Sequence, residues 1–471
     1  MGKAFTLFMV LLMLSSLFGM VACGDGNEIN VITPAETATI SDQVVTFPDH
    51  NLEKTIREAI GKSKGDIYKS DIQGLTVLYA DRKEISDLTG IELCTALREL
   101  HLDYNPLISD LSPISGLTAL TGLHLYGNYS INNISSLSGL TNLKNLDLAR
   151  NQITNISPLS NLTGLTYLNL SANPIGDLSA LSKLTSLTGL DLSRIKTNDI
   201  SALASLTGLT DLNLFTNKIS DLSPLLSLTN LKKLDLRVNA IDDLSPLSKL
   251  TALIELYLSN NIITNISSLS GLTVLTYLDL STNKVSDLSP LSGLSNLSYL
   301  DLTRNRASDI SPLSGLSRLT NLQLGQNQIT DISPLANLTS LTELGLSENH
   351  IVDLSALSDL TSLLDLRMNA CQISNLSPLS SLTNILELSI PWNQISDISP
   401  LSNLADLEFL DLRHNQISDI SALVQNSGIG EGDTIVLADN PLGSTSINVY
   451  VSQLRTRGAD VGWPNYMDPR D

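Results

Sequence analysis

Histidine is the side chain best suited to proton transfer or metal binding near neutrality, and this chain has five: His50, His101, His124, His350 and His414. None falls in a His-Glu-x-x-His helix, and no Gly-x-Ser-x-Gly elbow exposes a nucleophilic serine. Gly61-Lys62-Ser63 ends like a phosphate-binding loop, but Ile56 stands where that loop needs its first glycine, so the segment reads as the end of a helix. Gly428–Asp433 (GIGEGD) has no strand ahead and no helix behind, and reads as a loop. Carboxylates recur at Asp147, Asp191, Asp235, Asp279, Asp301 and Asp411 inside Leu-Asp-Leu phrases, at separations that are multiples of 22. That spacing is a repeat period rather than an acid–base pair, and predicts a solvated face. His101 and His124 come closest to a ligand pair, but Asp103 is the one carboxylate the sequence places beside them. No catalytic, cofactor or metal site is expected, and the chain is not expected to be an enzyme.

The recurrence of these residues raises the question of what positions them. Residues 143–164, LKNLDLARNQITNISPLSNLTG, align with residues 319–340, LTNLQLGQNQITDISPLANLTS, at every apolar position and at a central Asn. The Asn ladder runs Asn105, Asn128, Asn151, Asn173, Asn217, Asn239, Asn261, Asn283, Asn305, Asn327, Asn349, Asn393 and Asn415. Most intervals are 22 residues, two are 23, and the longer gaps are 44. Lys83, Ile195 and Cys371 fill three further rungs.

Within each unit, x-Leu-x-Leu-x alternates with period two and predicts a short strand whose leucines point inward. The Asn follows at the turn out of the strand and is expected to bond backbone groups of its own and the adjacent coil. In Asp331-Ile332-Ser333-Pro334-Leu335 the proline fixes φ and needs no donor partner, which suits a tight turn or one turn of 3₁₀ helix. A 22-residue coil leaves no room for a full helix on its back.

The fold expected is an α/β repeat solenoid: a curved, right-handed stack of about 17 coils of 22–23 residues over residues 76–441, with a parallel concave sheet and a convex side of short 3₁₀ turns. Such a stack exposes apolar surface at both ends. FPDHNLEKTIREAIG, with Asp49 or Asn51 as N-cap and Gly61 after the last turn, predicts a helical N-terminal cap within residues 46–75, with a second short helix after Ser70. Thr434–Leu442 is read as the last strand, carrying Asn440, and residues 442–471 as a C-terminal helical cap and tail, with Ile447, Val451 and Leu454 on one face.

The first 22 residues read as a secretory signal: Lys3, then an apolar run from Phe5 to Met20. The run ends in Met20-Val21-Ala22-Cys23, which resembles the bacterial lipobox, and the resemblance implies acylation of Cys23. Residues 23–45, rich in Gly, Thr, Asn and acidic side chains, read as a flexible tether. Cys94 and Cys371 lie about twelve coils apart, roughly 60 Å at about 4.8 Å per strand, too far to pair.

Across 471 residues, 28 Lys and Arg face 48 Asp and Glu, a net charge of −20. Phosphate backbones reward the opposite sign, so nucleic acid is excluded as a partner; the charge instead favours a soluble monomer.

The 22-residue unit, the Asn-x-Ile-x-Asp-Ile-Ser-Pro-Leu phrasing and the FPD-x-NLE cap resemble the internalin-like bacterial leucine-rich-repeat proteins, and the repeats are also similar to those of regulatory subunits of protein phosphatase 1. The resemblance covers about residues 45–471. It implies a non-catalytic scaffold that binds a protein ligand; the lipobox, in which the chain departs from internalins, implies export and attachment to the membrane or cell surface only through an N-terminal lipid. The alternative is a carbohydrate- or envelope-binding structural lipoprotein, with Tyr167, Tyr277 and Tyr299 as concave aromatics. Most concave positions carry Asp, Asn, Ser, Thr or Gly. His101, Tyr104, His124, Tyr126 and Tyr129 break that pattern on adjacent coils, and are the expected partner-binding residues. A smaller aromatic group lies at Trp392, Phe409, Arg413 and His414.

Overall fold

A computed structural model describes residues 42–463. The signal, Cys23 and nearly all of the tether lie outside the described residues. Among those described, no helix is long and apolar enough to cross a membrane.

The body is a curved leucine-rich-repeat solenoid. It opens with β1 (Val44–Val45), α1 (His50–Ile60), β2 (Ile67–Tyr68) and α2 (Lys69–Ile72), where β1 and β2 pair antiparallel. The ordered cap therefore takes in the last residues of the segment read as tether, because Val45 buries its side chain and β2 offers its backbone an edge. Asp49, not Asn51, caps α1: its Oδ1 accepts from the amides of Asn51 (2.9 Å) and Leu52 (3.0 Å). Its Oδ2 accepts from the Ser86 amide (2.7 Å) and hydroxyl (2.9 Å), so one carboxylate both starts the helix and ties it to the first coil. These donors hold the Asp49 carboxyl below its ordinary range against the opposing effect of burial. Leu52 and Ile56 on α1 are completely buried.

Three-residue strands then follow one per coil: β3 (Val77–Tyr79), β4 (Glu99–His101), β5 (Gly122–His124), β6 (Asn145–Asp147), and so on to Asp460–Gly462. Each pairs in parallel with the next, with leucine opposite leucine, as in Leu100↔Leu123 and Leu234↔Leu256. The result is an open sheet of 18 strands with β3 at one edge and Asp460–Gly462 at the other. That final strand was not anticipated. Asp-Val-Gly carries no Leu-x-Leu phrase, yet it pairs with Thr434–Val436 and buries Val461. The C-terminal cap is thus helical and β: α3 (Ser421–Gln425), a wide turn at Ser446–Tyr450, α4 (Val451–Thr456), then the strand. On the convex side, Ser-Pro-Leu forms a 3₁₀ turn in coil after coil, for example Ser333–Leu335, with the Asp331 carboxylate accepting from the Ser333 amide at 2.8 Å.

In most coils the rung Asn is buried, with Asn217 and Asn239 half-buried, and it closes a local network. Asn261 Nδ2 donates to Leu236 O (3.0 Å) one coil back and to Leu258 O (2.9 Å) in its own coil, while Oδ1 accepts from Ile241 N (3.1 Å). The same pattern recurs at Asn173, Asn239, Asn283, Asn305, Asn327, Asn349, Asn393 and Asn415. At Cys371 the thiol donates to Leu346 O (3.2 Å), the carbonyl equivalent to the one asparagine uses, and burial pushes its pKa up to about 11. Where coils carry an extra residue the network shifts. Asn128 Oδ1 accepts from Asn105 N (2.6 Å), and Asn151 Oδ1 is buried without a partner.

The residue before each rung is left-handed in every coil from Arg82 to Asp439, with φ between 51° and 72°. Non-glycine residues take up this conformation at a cost of about 1–2 kcal/mol, most for β-branched side chains. Val238 (φ 57°) is such a case. Val238→Gly is expected to raise the unfolding free energy by about 1 kcal/mol, measured by chemical denaturation; a loss of stability would mean valine packing outweighs the strain.

Candidate functional site

The strand register brings the sequence-singled residues onto one concave surface. His101 on β4 pairs directly with His124 on β5, and their rings lie face to face, 4.3 Å between centroids and 5° apart in plane. Tyr79 on β3 packs against the far side of His101 at 4.6 Å. Desolvation, followed by the neighbouring His124, holds the His101 pKa below its ordinary value.

Three residues beyond His101 and two beyond His124, Tyr104 meets Tyr126 edge to face at 5.1 Å. The Arg82 guanidinium lies 4.2 Å from the Tyr104 ring centre, and Arg150 lies 5.6 Å from that of Tyr126. Burial, then a hydrogen bond with Tyr104, raises the Tyr126 pKa. Tyr129, on the inserted residue of a 23-residue coil, stands 49% exposed beside them. The patch therefore presents half-buried aromatic faces with two guanidiniums at its rim, on a chain that is otherwise strongly acidic.

Two glycines of one coil make room for it. A Cβ on Gly127 would come within 3.1 Å of the Tyr104 ring, and one on Gly122 would come within 1.7 Å of a Glu99 carboxylate oxygen. The Glu99 side chain thus lies across β5, held by the Thr121 hydroxyl at 2.9 Å. Its ligand oxygen and one nitrogen of each of His101 and His124 lie within 4.8 Å of one another. Sequence reasoning missed Glu99 and named Asp103 as the nearby carboxylate. Asp103 instead accepts from the Tyr126 amide at 2.8 Å and has its pKa raised by burial.

The strand aspartates are less solvated than their pattern suggests. Asp235 and Asp411 are buried and chelate Arg237 and Arg413, two residues on. Asp279 accepts from the Ser281 amide and hydroxyl. Burial raises the pKa of Asp147 and Asp301. These carboxylates brace the strand exits.

Elsewhere on the concave face, Tyr277 and Tyr299 stack at 4.1 Å, with Tyr257 against Tyr277 at 4.7 Å, while Tyr167 stands apart over Gly189. Near the C-terminal end, Trp392 is 61% exposed and its ring lies flat on His414 at 3.4 Å.

The family described as leucine-rich repeats (2 copies) matches residues 141–183, 229–271, 273–315, 317–359 and 383–425. No curated protein matches the chain. Among solved structures, an internalin of Listeria monocytogenes is 36% identical with a TM-score of 0.61, over 73% of this chain and 95% of that one. The functional domain of InlJ from Listeria monocytogenes, which includes a cysteine ladder, is 27% identical with a TM-score of 0.64, over 84% and 83%. A leucine-rich-repeat protein of Leptospira interrogans shares the fold at 24% identity and a TM-score of 0.67, over 82% and 95%.

Proposed function

We propose that this chain, which belongs to the internalin-like bacterial leucine-rich-repeat family, is an exported lipoprotein that captures a protein ligand on its concave face and performs no catalysis. The observation that carries this reading is the patch at Tyr104, Tyr126 and Tyr129, with His101 and His124 beside it. Tyrosine rings held by edge contacts and by Arg82 and Arg150 are pre-ordered, so little conformational entropy is lost when a partner covers them. A partner with apolar anchors and a carboxylate rim fits this surface; nucleic acid does not, at a net charge of −20. The lipid on Cys23 is the chain's one hold on the membrane, and the acidic body above it is monomeric.

The alternative, a carbohydrate- or envelope-binding lipoprotein, would use Tyr257, Tyr277 and Tyr299. The faces of Tyr277 and Tyr299 are stacked on each other, so they present edges and hydroxyls where a sugar ring needs an open face.

The test is affinity capture with the full chain from extracellular and envelope fractions, then binding of the captured protein to Tyr104→Ala/Tyr126→Ala. The double variant should unfold at nearly the wild-type temperature and bind at least tenfold more weakly, about 1.4 kcal/mol. Undiminished binding would remove the site assignment, and capture of a glycan alone would favour the alternative.

A further inference from the structure

From the juxtaposition of Glu99, His101 and His124 we infer a binding site for a divalent transition-metal ion of the zinc type, with one coordination position open to the concave face. Glu99 and His101 are two apart on β4 and so project from the same face, and His124 is the register partner of His101 on β5. Their three ligand atoms lie within 4.8 Å of one another. A tetrahedral zinc with nitrogen and oxygen ligands at about 2.0–2.2 Å needs them somewhat closer, which side-chain rotation supplies. The two imidazoles, now parallel, must turn until their lone pairs converge; both rings are half-buried, and Tyr79 on the far side of His101 is largely exposed and free to move with the turn.

The donor set selects the ion. Two imidazoles and one carboxylate suit zinc and its divalent neighbours, and the lack of thiolate disfavours cuprous ion. Calcium and magnesium prefer oxygen ligands throughout. Gly122 is the third part of the argument. A side chain at this position would collide with the Glu99 carboxylate, and the lack of a Cβ lets that carboxylate reach across to the histidines. Three protein ligands leave a fourth place for water or for a donor from another molecule.

The inference concerns the chain alone and stands apart from the protein-ligand reading. Its test uses the untagged full chain in detergent, titrated with Zn²⁺ alone by calorimetry and with Co²⁺ alone by visible absorption. One equivalent of Zn²⁺ should bind with a micromolar or tighter Kd, and Co²⁺ should give the intense d–d bands of a four-coordinate site. His101→Ala and His124→Ala should abolish both signals. Glu99→Gln and Gly122→Ala should weaken binding at least tenfold, the latter without changing any ligand, while the exposed His350→Ala should leave it unchanged. Circular dichroism melts establish that each variant is folded. Absence of a bound equivalent in the wild type, or binding that survives His101→Ala and Gly122→Ala in folded protein, overturns the assignment.

Discussion

Asn261→Ala is expected to lower the unfolding free energy by about 2–3 kcal/mol. The residue is 8% exposed, and its side chain serves three backbone groups at close range: the carbonyls of Leu236 and Leu258 and the amide of Ile241. Alanine fills less space and bonds none of them. A net hydrogen bond is worth about 0.5–1.5 kcal/mol, but a buried group left without a partner costs about 1–3. Mid-solenoid, the groups on both sides are sealed by neighbouring coils. The ladder position nearest the C-terminal end, Asn440, is expected from sequence alone to matter less, as the last rung before a cap. The structure argues otherwise. Asn440 Nδ2 donates to Leu412 O (2.8 Å) and Leu437 O (3.1 Å), its Oδ1 accepts from Ile417 N (3.0 Å), and the strand Asp460–Gly462 lies beyond it. Asn440→Ala should therefore cost about as much as Asn261→Ala. Asn155→Ala, which removes only an exposed turn bond to Ser157, should cost far less. Equal and negligible losses at Asn261 and Asn440, read from denaturation midpoints of the full chain, would mean that these networks do not hold the coils together.

The other large effect expected is on location. Cys23→Ser should move the protein wholly from a detergent-extracted fraction to a soluble or unprocessed form. Serine cannot form the thioether through which a diacylglyceryl group would be attached, and two or more acyl chains at about 0.8 kcal/mol per buried methylene make the difference between anchored and free. Intact-mass measurement of the wild type should give a mature chain starting at Cys23 and carrying acyl mass. An unmodified mature chain starting at any other residue would end the lipoprotein reading.

The parts of the fold that repeat were legible in the sequence, and its shortest non-repeating strands were not. The repeat spacing, 22 residues in most coils and 23 from Asn105 to Asn128, sets which side chains stand opposite each other, so His101 beside His124 followed from arithmetic. Glu99 did not, because its reach toward His124 depends on a missing Cβ one coil away, at Gly122. Val44–Val45 and Asp460–Gly462 escaped for a related reason. Two or three residues carry no readable alternation, and they become strands only because a neighbouring edge supplies their partners. The burial of Asp235 and Asp411 also lay outside the pattern, since it is set by the arginines two residues on that cover them. The extra residue near Tyr129 could be counted in the sequence. Its consequence, a buried Asn151 oxygen without a donor, could not.

The left-handed position before each rung carries Tyr104, Arg150, Ala172, Thr216, Gln326, Glu348, Trp392 and His414 among others. One backbone geometry therefore displays aromatic, cationic, anionic and small side chains at a constant pitch along one border of the sheet. The conformational strain is similar among the unbranched residues of this row and greater at β-branched ones such as Thr216, and the inward leucines and the rung asparagines do not depend on the choice. Selection, or a protein engineer, can thus change this row one residue at a time, altering what the surface recognises while the scaffold beneath stays the same.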